Sequence, residues 1–107
     1  MSDEGVVDKN RIEELRVRID ALDVELVRIL NERSSHALEI GNLKGALGME
    51  AIQHGRENEV LDNVRSVNSG PLDSGAVTRL FKEIIEETRR IERLSLRKEE
   101  PKKLEKS

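Results

Sequence analysis

The chain has 107 residues and so holds at most one domain. Its residues are 38% charged and 36% hydrophobic, with one Phe and no Trp or Tyr, which favours charge-laced helices and argues against a β-sandwich. A net charge of −3 without a basic, aromatic-interleaved tract argues against nucleic acid as a partner; there is no Cys for disulfide or thiolate chemistry, and no apolar run approaches the roughly 20 residues that span a bilayer.

The chain opens on MSDEGVVDK, which is acidic and lacks an apolar core. It does not read as a signal peptide, and a soluble, cytoplasmic protein is the expectation. Asp8 or Asn10 is suited to cap a first helix. From there Ile12, Leu15, Ile19, Leu22, Leu26 and Ile29 recur three and four apart, the rhythm of one buried helix face. The next positions in that rhythm are Arg33 and His36, and the stripe resumes at Ile40, Leu43 and Leu47. The helix is expected to reach about Ala46, with Gly45 and Gly48 marking its end. Gly41 lies inside it, at a cost of about 1 kcal/mol relative to Ala. A helix of roughly 36 residues is about 54 Å long, whereas a compact chain of about 100 residues has a radius of gyration near 13 Å. The stripe therefore predicts burial against a second copy of the chain, in an intertwined homodimer.

Met49 to Gly55 reads as a loop. A second helix is expected from about Arg56 to Asn68, with Val60, Leu61, Val64 and Val67 inward. Asn68-Ser69-Gly70-Pro71 is a stop signal, and Asp73 or Ser74 caps a third helix. That helix carries Val77, Leu80, Phe81, Ile84, Ile85, Ile91 and Leu94 inward. Beyond about Leu96 the charged, proline-containing RKEEPKKLEKS predicts a solvated tail, so the expected division is a domain over 1–96 and a disordered tail over 97–107. The fold class is all-α: three helices, one very long, in an intertwined dimer.

Polar residues on apolar faces carry the functional signal. An arginine at a core position costs several kcal/mol unless it meets an anion or a hydrogen-bonding network. Arg33 and Lys44 are 11 residues apart, only about 20° in azimuth, so both point the same way. Arg16 is about 100° round from Arg33, so a place for it in the same site fits a partner subunit better than its own chain. Thr88 and Glu92 form an i, i+4 pair that continues the face of Ile84 and Ile85, and Arg56 and Glu57 open the second helix. Inward cations with few anions of their own fit a small ligand with more than one carboxylate or phosphate, which Arg binds bidentately. His36 and His54 match no zinc spacing, and neither a nucleophile context nor a Gly-rich phosphate loop is present. Blander readings stand beside these. Arg33 pairs with a core Glu, Arg16 with Glu13 or Asp20, and Glu92 with Arg89. His36 packs in the interface, Thr88 bonds back to its own helix, and the Arg89, Arg90, Arg93 cluster is a solvated face.

The segment LRVRIDALDVELVRILNERSSHALEIGNLK, then GRE, then NSGPLDSGAVTRLFKEIIEETRRIE, resembles the all-helical chorismate mutases over about residues 11–94. Several separated blocks agree in order and spacing: LR near the start, ALD, Glu32-Arg33, IG with Lys44 three after the glycine, Arg56-Glu57, GPL and the LF..II run. The resemblance implies a three-helix chain in an intertwined dimer that converts chorismate to prephenate without metal or cofactor. It implies that Arg33 binds one substrate carboxylate and Arg16 of the partner subunit the other. Lys44 would donate to the ether oxygen and help hold a carboxylate. Arg56 would buttress the site, Glu57 would accept from the ring hydroxyl, and Thr88 would lie near a carboxylate. Glu92 takes the second ether-oxygen position, where the family has Gln or Glu. Gln53 and His54 replace the family's frequent Asp-Pro before the Arg-Glu pair, with Gln53 expected to face the ring hydroxyl.

The implied reaction is pericyclic, so no protein atom reacts; clamping the substrate and stabilising charge on the ether oxygen supply the catalysis. Glu92 donates only when protonated. Two alternatives share the fold: an isochorismate pyruvate-lyase, and a non-catalytic helical dimer regulating another shikimate-pathway enzyme as partner.

Overall fold

The structure is a computed structural model that describes the backbone of residues 2–49 and 55–106 and the side chains of residues 8–49 and 55–95. It contains three helices, α1 (Ser2–Leu47), α2 (Arg56–Val67) and α3 (Ser74–Lys106), and no strand among the described residues. No helix among them is long and apolar enough to cross a membrane. The chain divides into two compact units, Met1–Arg33 and Ser34–Ser107.

The first unit is helical from Ser2, ahead of the start expected at Asp8 or Asn10. No proline lies in this stretch, so nothing in the backbone forces a later start. Ion pairs run along the helix: Arg11 to Glu14, Arg16 to Glu13, and Arg28 to both Glu25 and Glu32. The hydrogen bond to Glu25 raises the Arg28 guanidinium above its ordinary pKa. The apolar stripe of Ile12, Leu15, Ile19, Leu22, Leu26 and Ile29 has the predicted spacing, yet every member is exposed, Leu22 to 66%.

The second unit begins with the rest of α1. This helix ends in a Schellman motif: the Gly48 amide donates to Gly45 O at 3.2 Å and the Met49 amide to Lys44 O at 2.8 Å. Gly48 takes φ +70°, the left-handed conformation that the motif needs and a side chain opposes. The next stop is built around Asn68. Its side-chain amide donates to Leu72 O at 2.8 Å, and its Oδ1 accepts from the Gly70 amide at 3.2 Å. Asp73 then caps α3, its Oδ1 accepting from the Ala76 amide at 2.7 Å. Arg65 of α2 donates to Thr78 Oγ1 of α3 at 3.3 Å, tying the two helices near this turn.

α2 packs on α3 with Leu61 and Val77 buried. Val60, Val64, Phe81, Ile84, Ile85 and Ile91 are half-buried around them. Val67, Leu80 and Leu94, expected inward, are exposed. Val67 is the last residue of α2, and Leu80 lies about 60° round α3 from the buried Val77; Leu94 lies beyond the reach of α2, which spans about 18 Å beside an α3 of about 50 Å and is tied to it at Thr78 and Arg89. The helical backbone of α3 also continues past Leu96 to Lys106. The apolar rhythm stops there, but Arg, Lys, Glu and Leu are all good helix formers.

Candidate active site

Within the second unit, α1 meets α3 at a glycine. A Cβ placed on Gly41 would lie 3.8 Å from Glu92 Cδ and 4.0 Å from Glu92 Oε2. The mid-helix glycine that reads as a weak point in the sequence is therefore where the Glu92 side chain lies against α1. Glu92 is half-buried and makes no hydrogen bond or ion pair among the described residues. Its sequence neighbour Arg89 does not neutralise it, so the surface pairing of the two is not formed.

Lys44 follows Gly41 by three residues, about one turn along the same side of α1. It is half-buried, and its ammonium group has no partner among the described residues. One turn before Glu92 on α3 lies Thr88, the most buried polar side chain described, at 9% exposure. Its hydroxyl donates to Ile84 O at 3.0 Å, the back-bond to its own helix. Glu92, Lys44 and Thr88 are thus three polar side chains of the predicted set that are wholly or partly buried in this unit.

The start of α2 supplies a fourth. Gly55 precedes the helix with φ +92°, and Arg56 and Glu57 form its first turn, where the Glu57 charge complements the dipole. Arg89 Nη2 donates to Glu57 Oε2 at 3.0 Å, and each side chain is 36% exposed. Arg89 is thus not part of a solvated face, as the sequence suggests; Arg90 and Arg93 are, paired with Glu87 and Glu86 on the exposed surface of α3. Sequence reasoning passed over Arg89 because Glu57 lies 32 residues away, beyond any helical spacing. Arg56 is exposed and reaches Glu59 at 3.4 Å.

In the first unit, Arg33 is half-buried at its end, and Arg16 is exposed and bound to Glu13 at 3.1 Å, the surface pairing. Gln53, with its expected place at the ring hydroxyl, lies outside the described residues, as does His54. No group of His, Asp or Glu that could hold a metal occurs among the described residues. The chemistry on offer is a positive end (Lys44), a carboxyl group without a partner (Glu92) and a braced acceptor (Glu57).

Comparison with known proteins places this arrangement. A bifunctional chorismate mutase/prephenate dehydratase of Neisseria gonorrhoeae is 42% identical over 78 residues, 73% of this chain and 21% of that protein. The corresponding protein of Stutzerimonas stutzeri is 37% identical over 81 residues, 71% of this chain and 22% of that protein. The chain therefore spans about a fifth of the length of these curated relatives. A solved structure, chorismate mutase (Form II) from Thermus thermophilus, superposes with a TM-score of 0.75 at 35% identity, covering 78% of this chain and 94% of that one. The sequence model for chorismate mutase type II matches residues 15–93, which takes in the α1 stripe from Leu15 onward, Lys44, Glu57, Thr88 and Glu92. The chain belongs to the chorismate mutase type II family.

Proposed function

We propose that this chain rearranges chorismate to prephenate. The observation that carries the reading is a half-buried Glu92 beside Gly41 and a half-buried Lys44 one turn further along α1, each without a partner of its own among the described residues. The reaction breaks one C–O bond and forms one C–C bond in the same molecule, so catalysis needs compaction of the substrate and donors to the ether oxygen. A modest enzyme lowers the barrier by about 8 kcal/mol, and one donor supplies about 3–4 kcal/mol. Two donors and two carboxylate clamps are therefore required. Lys44 and protonated Glu92 act at the ether oxygen. Arg33 and Lys44 hold one carboxylate; Arg16 of a second copy holds the other. Glu57 accepts from the ring hydroxyl, with Gln53 beside it; Thr88 lies near a carboxylate and Arg56 buttresses the site. No metal or cofactor takes part.

A second copy is supported by the exposed stripe of α1. Six large aliphatic side chains at helical spacing face solvent in the single chain. Fully burying each contributes about 1.5–3 kcal/mol, enough to favour association. The family relatives that also carry prephenate dehydratase activity support, as a further partner, an enzyme that consumes the product.

The test is incubation of the purified chain with chorismate, following its disappearance and the appearance of prephenate. Parallel incubation with isochorismate, assayed for salicylate and pyruvate, tests the lyase alternative. Consumption of neither substrate by the folded chain would overturn the enzymatic reading and favour the regulatory module.

A further inference from the structure

We infer that Arg89 is a positioning residue that fixes the Glu57 carboxylate for recognition of the substrate's ring hydroxyl. The inference rests on the proposed mutase reading and goes beyond it, since neither the sequence pattern nor the resemblance gives Arg89 a role. Most ion pairs among the described residues lie within one helix, at i±3 or i±4, on exposed surface. Arg89 has carboxylates at both local positions, Glu86 at i−3 and Glu92 at i+3, and pairs with neither. It crosses to α2 and binds Glu57 Oε2 at 3.0 Å.

Two consequences follow from that choice. First, Glu57 Oε2 is engaged, while Oε1 has no hydrogen bond among the described residues and is left to accept from a ligand. A carboxylate held by a charge-assisted bond at one oxygen presents the other in a fixed direction. The brace is needed because Glu57 sits in the first turn of a 12-residue helix that follows a glycine with φ +92°. Second, Arg89 is drawn away from Glu92, one turn further along α3. Glu92 thereby keeps its carboxyl group available to donate to the ether oxygen.

A ground-state hydroxyl contact acts on binding of substrate and transition state alike, so its loss raises KM more than it lowers kcat. Arg89→Met is expected to raise KM for chorismate about tenfold and change kcat less than about threefold, and Arg89→Lys, which keeps a donor, recovers most of the loss. Arg89→Met, Glu57→Gln and the double variant form a thermodynamic cycle in kcat/KM, each checked for helicity and Tm. If Arg89 acts through Glu57, the double variant loses no more than Glu57→Gln alone. Additive losses in an active enzyme, or a fall in Tm that Arg89→Lys restores with KM unmoved throughout, overturn the inference and leave the proposed function standing. A folded wild-type chain that does not consume chorismate overturns both.

Discussion

Lys44 and Glu92 are matched in the proposed site, but their chemistry differs. Lys44 donates as an ammonium group. Its substitution by Ala is expected to lower kcat by about 10² to 10³, the effect of removing one donor to a developing oxyanion, while helicity is kept. Near-normal turnover in the folded variant would remove Lys44 from the mechanism. Glu92 is placed to donate from its carboxyl group, so Glu92→Gln, which supplies an amide donor of the same length, should keep most of the activity, whereas Glu92→Ala should lower kcat by about 10². Equal losses in the two folded variants would take the donor role from Glu92. A Cβ placed on Gly41 would lie 3.8 Å from the Glu92 side chain, and no cation pairs with the Glu92 carboxyl group among the described residues.

The elements were legible wherever a local rule fixes them. Gly48 at the end of α1, Asn68 and Gly70 at the turn and Asp73 at the head of α3 each satisfy backbone groups within a few residues, and such signals are written in adjacent letters. Asp73→Ala removes the acceptor for the Ala76 amide and should cost about 1 kcal/mol, read as a lower midpoint in thermal or denaturant unfolding. Leu61→Ala, at one of the two buried apolar positions of the described residues, should cost more, about 2–5 kcal/mol. A smaller loss for Leu61 than for Asp73 would mean that the α2–α3 contact contributes little to stability. What the sequence hid were relations between elements. The partner of Arg89 is set by how α2 lies on α3, and no periodicity encodes that. The exposure of Leu94 follows from the unequal lengths of the two helices, which a pattern of inward residues does not weigh. Helix propensity alone reads Gly41 as a defect, and that the Glu92 side chain of α3 comes close to it is again a relation between elements.

At the scale of the whole molecule, the open question is which chain completes the site. Arg16 and Lys44 are 28 residues apart, and in one chain Arg16 is turned to Glu13 on exposed surface. If Arg16 serves the site of a partner, two inactive variants should rescue each other. In a two-fold dimer of Arg16→Ala with Lys44→Ala, one site pairs the intact Lys44 of the first chain with the intact Arg16 of the second, and the other site holds both defects. Unfolding the two variants together at equal concentration and refolding them should therefore return about a quarter of wild-type activity, since about half the dimers are mixed and each has one whole site. Each variant refolded alone should stay inactive. If Arg16 acts in its own chain, every site in the mixture carries one defect and nothing is recovered. A mixture that elutes as dimer and stays inactive would place Arg16 outside the partner's site, and elution as a monomer at working concentration would leave the α1 stripe without the second copy that its spacing calls for.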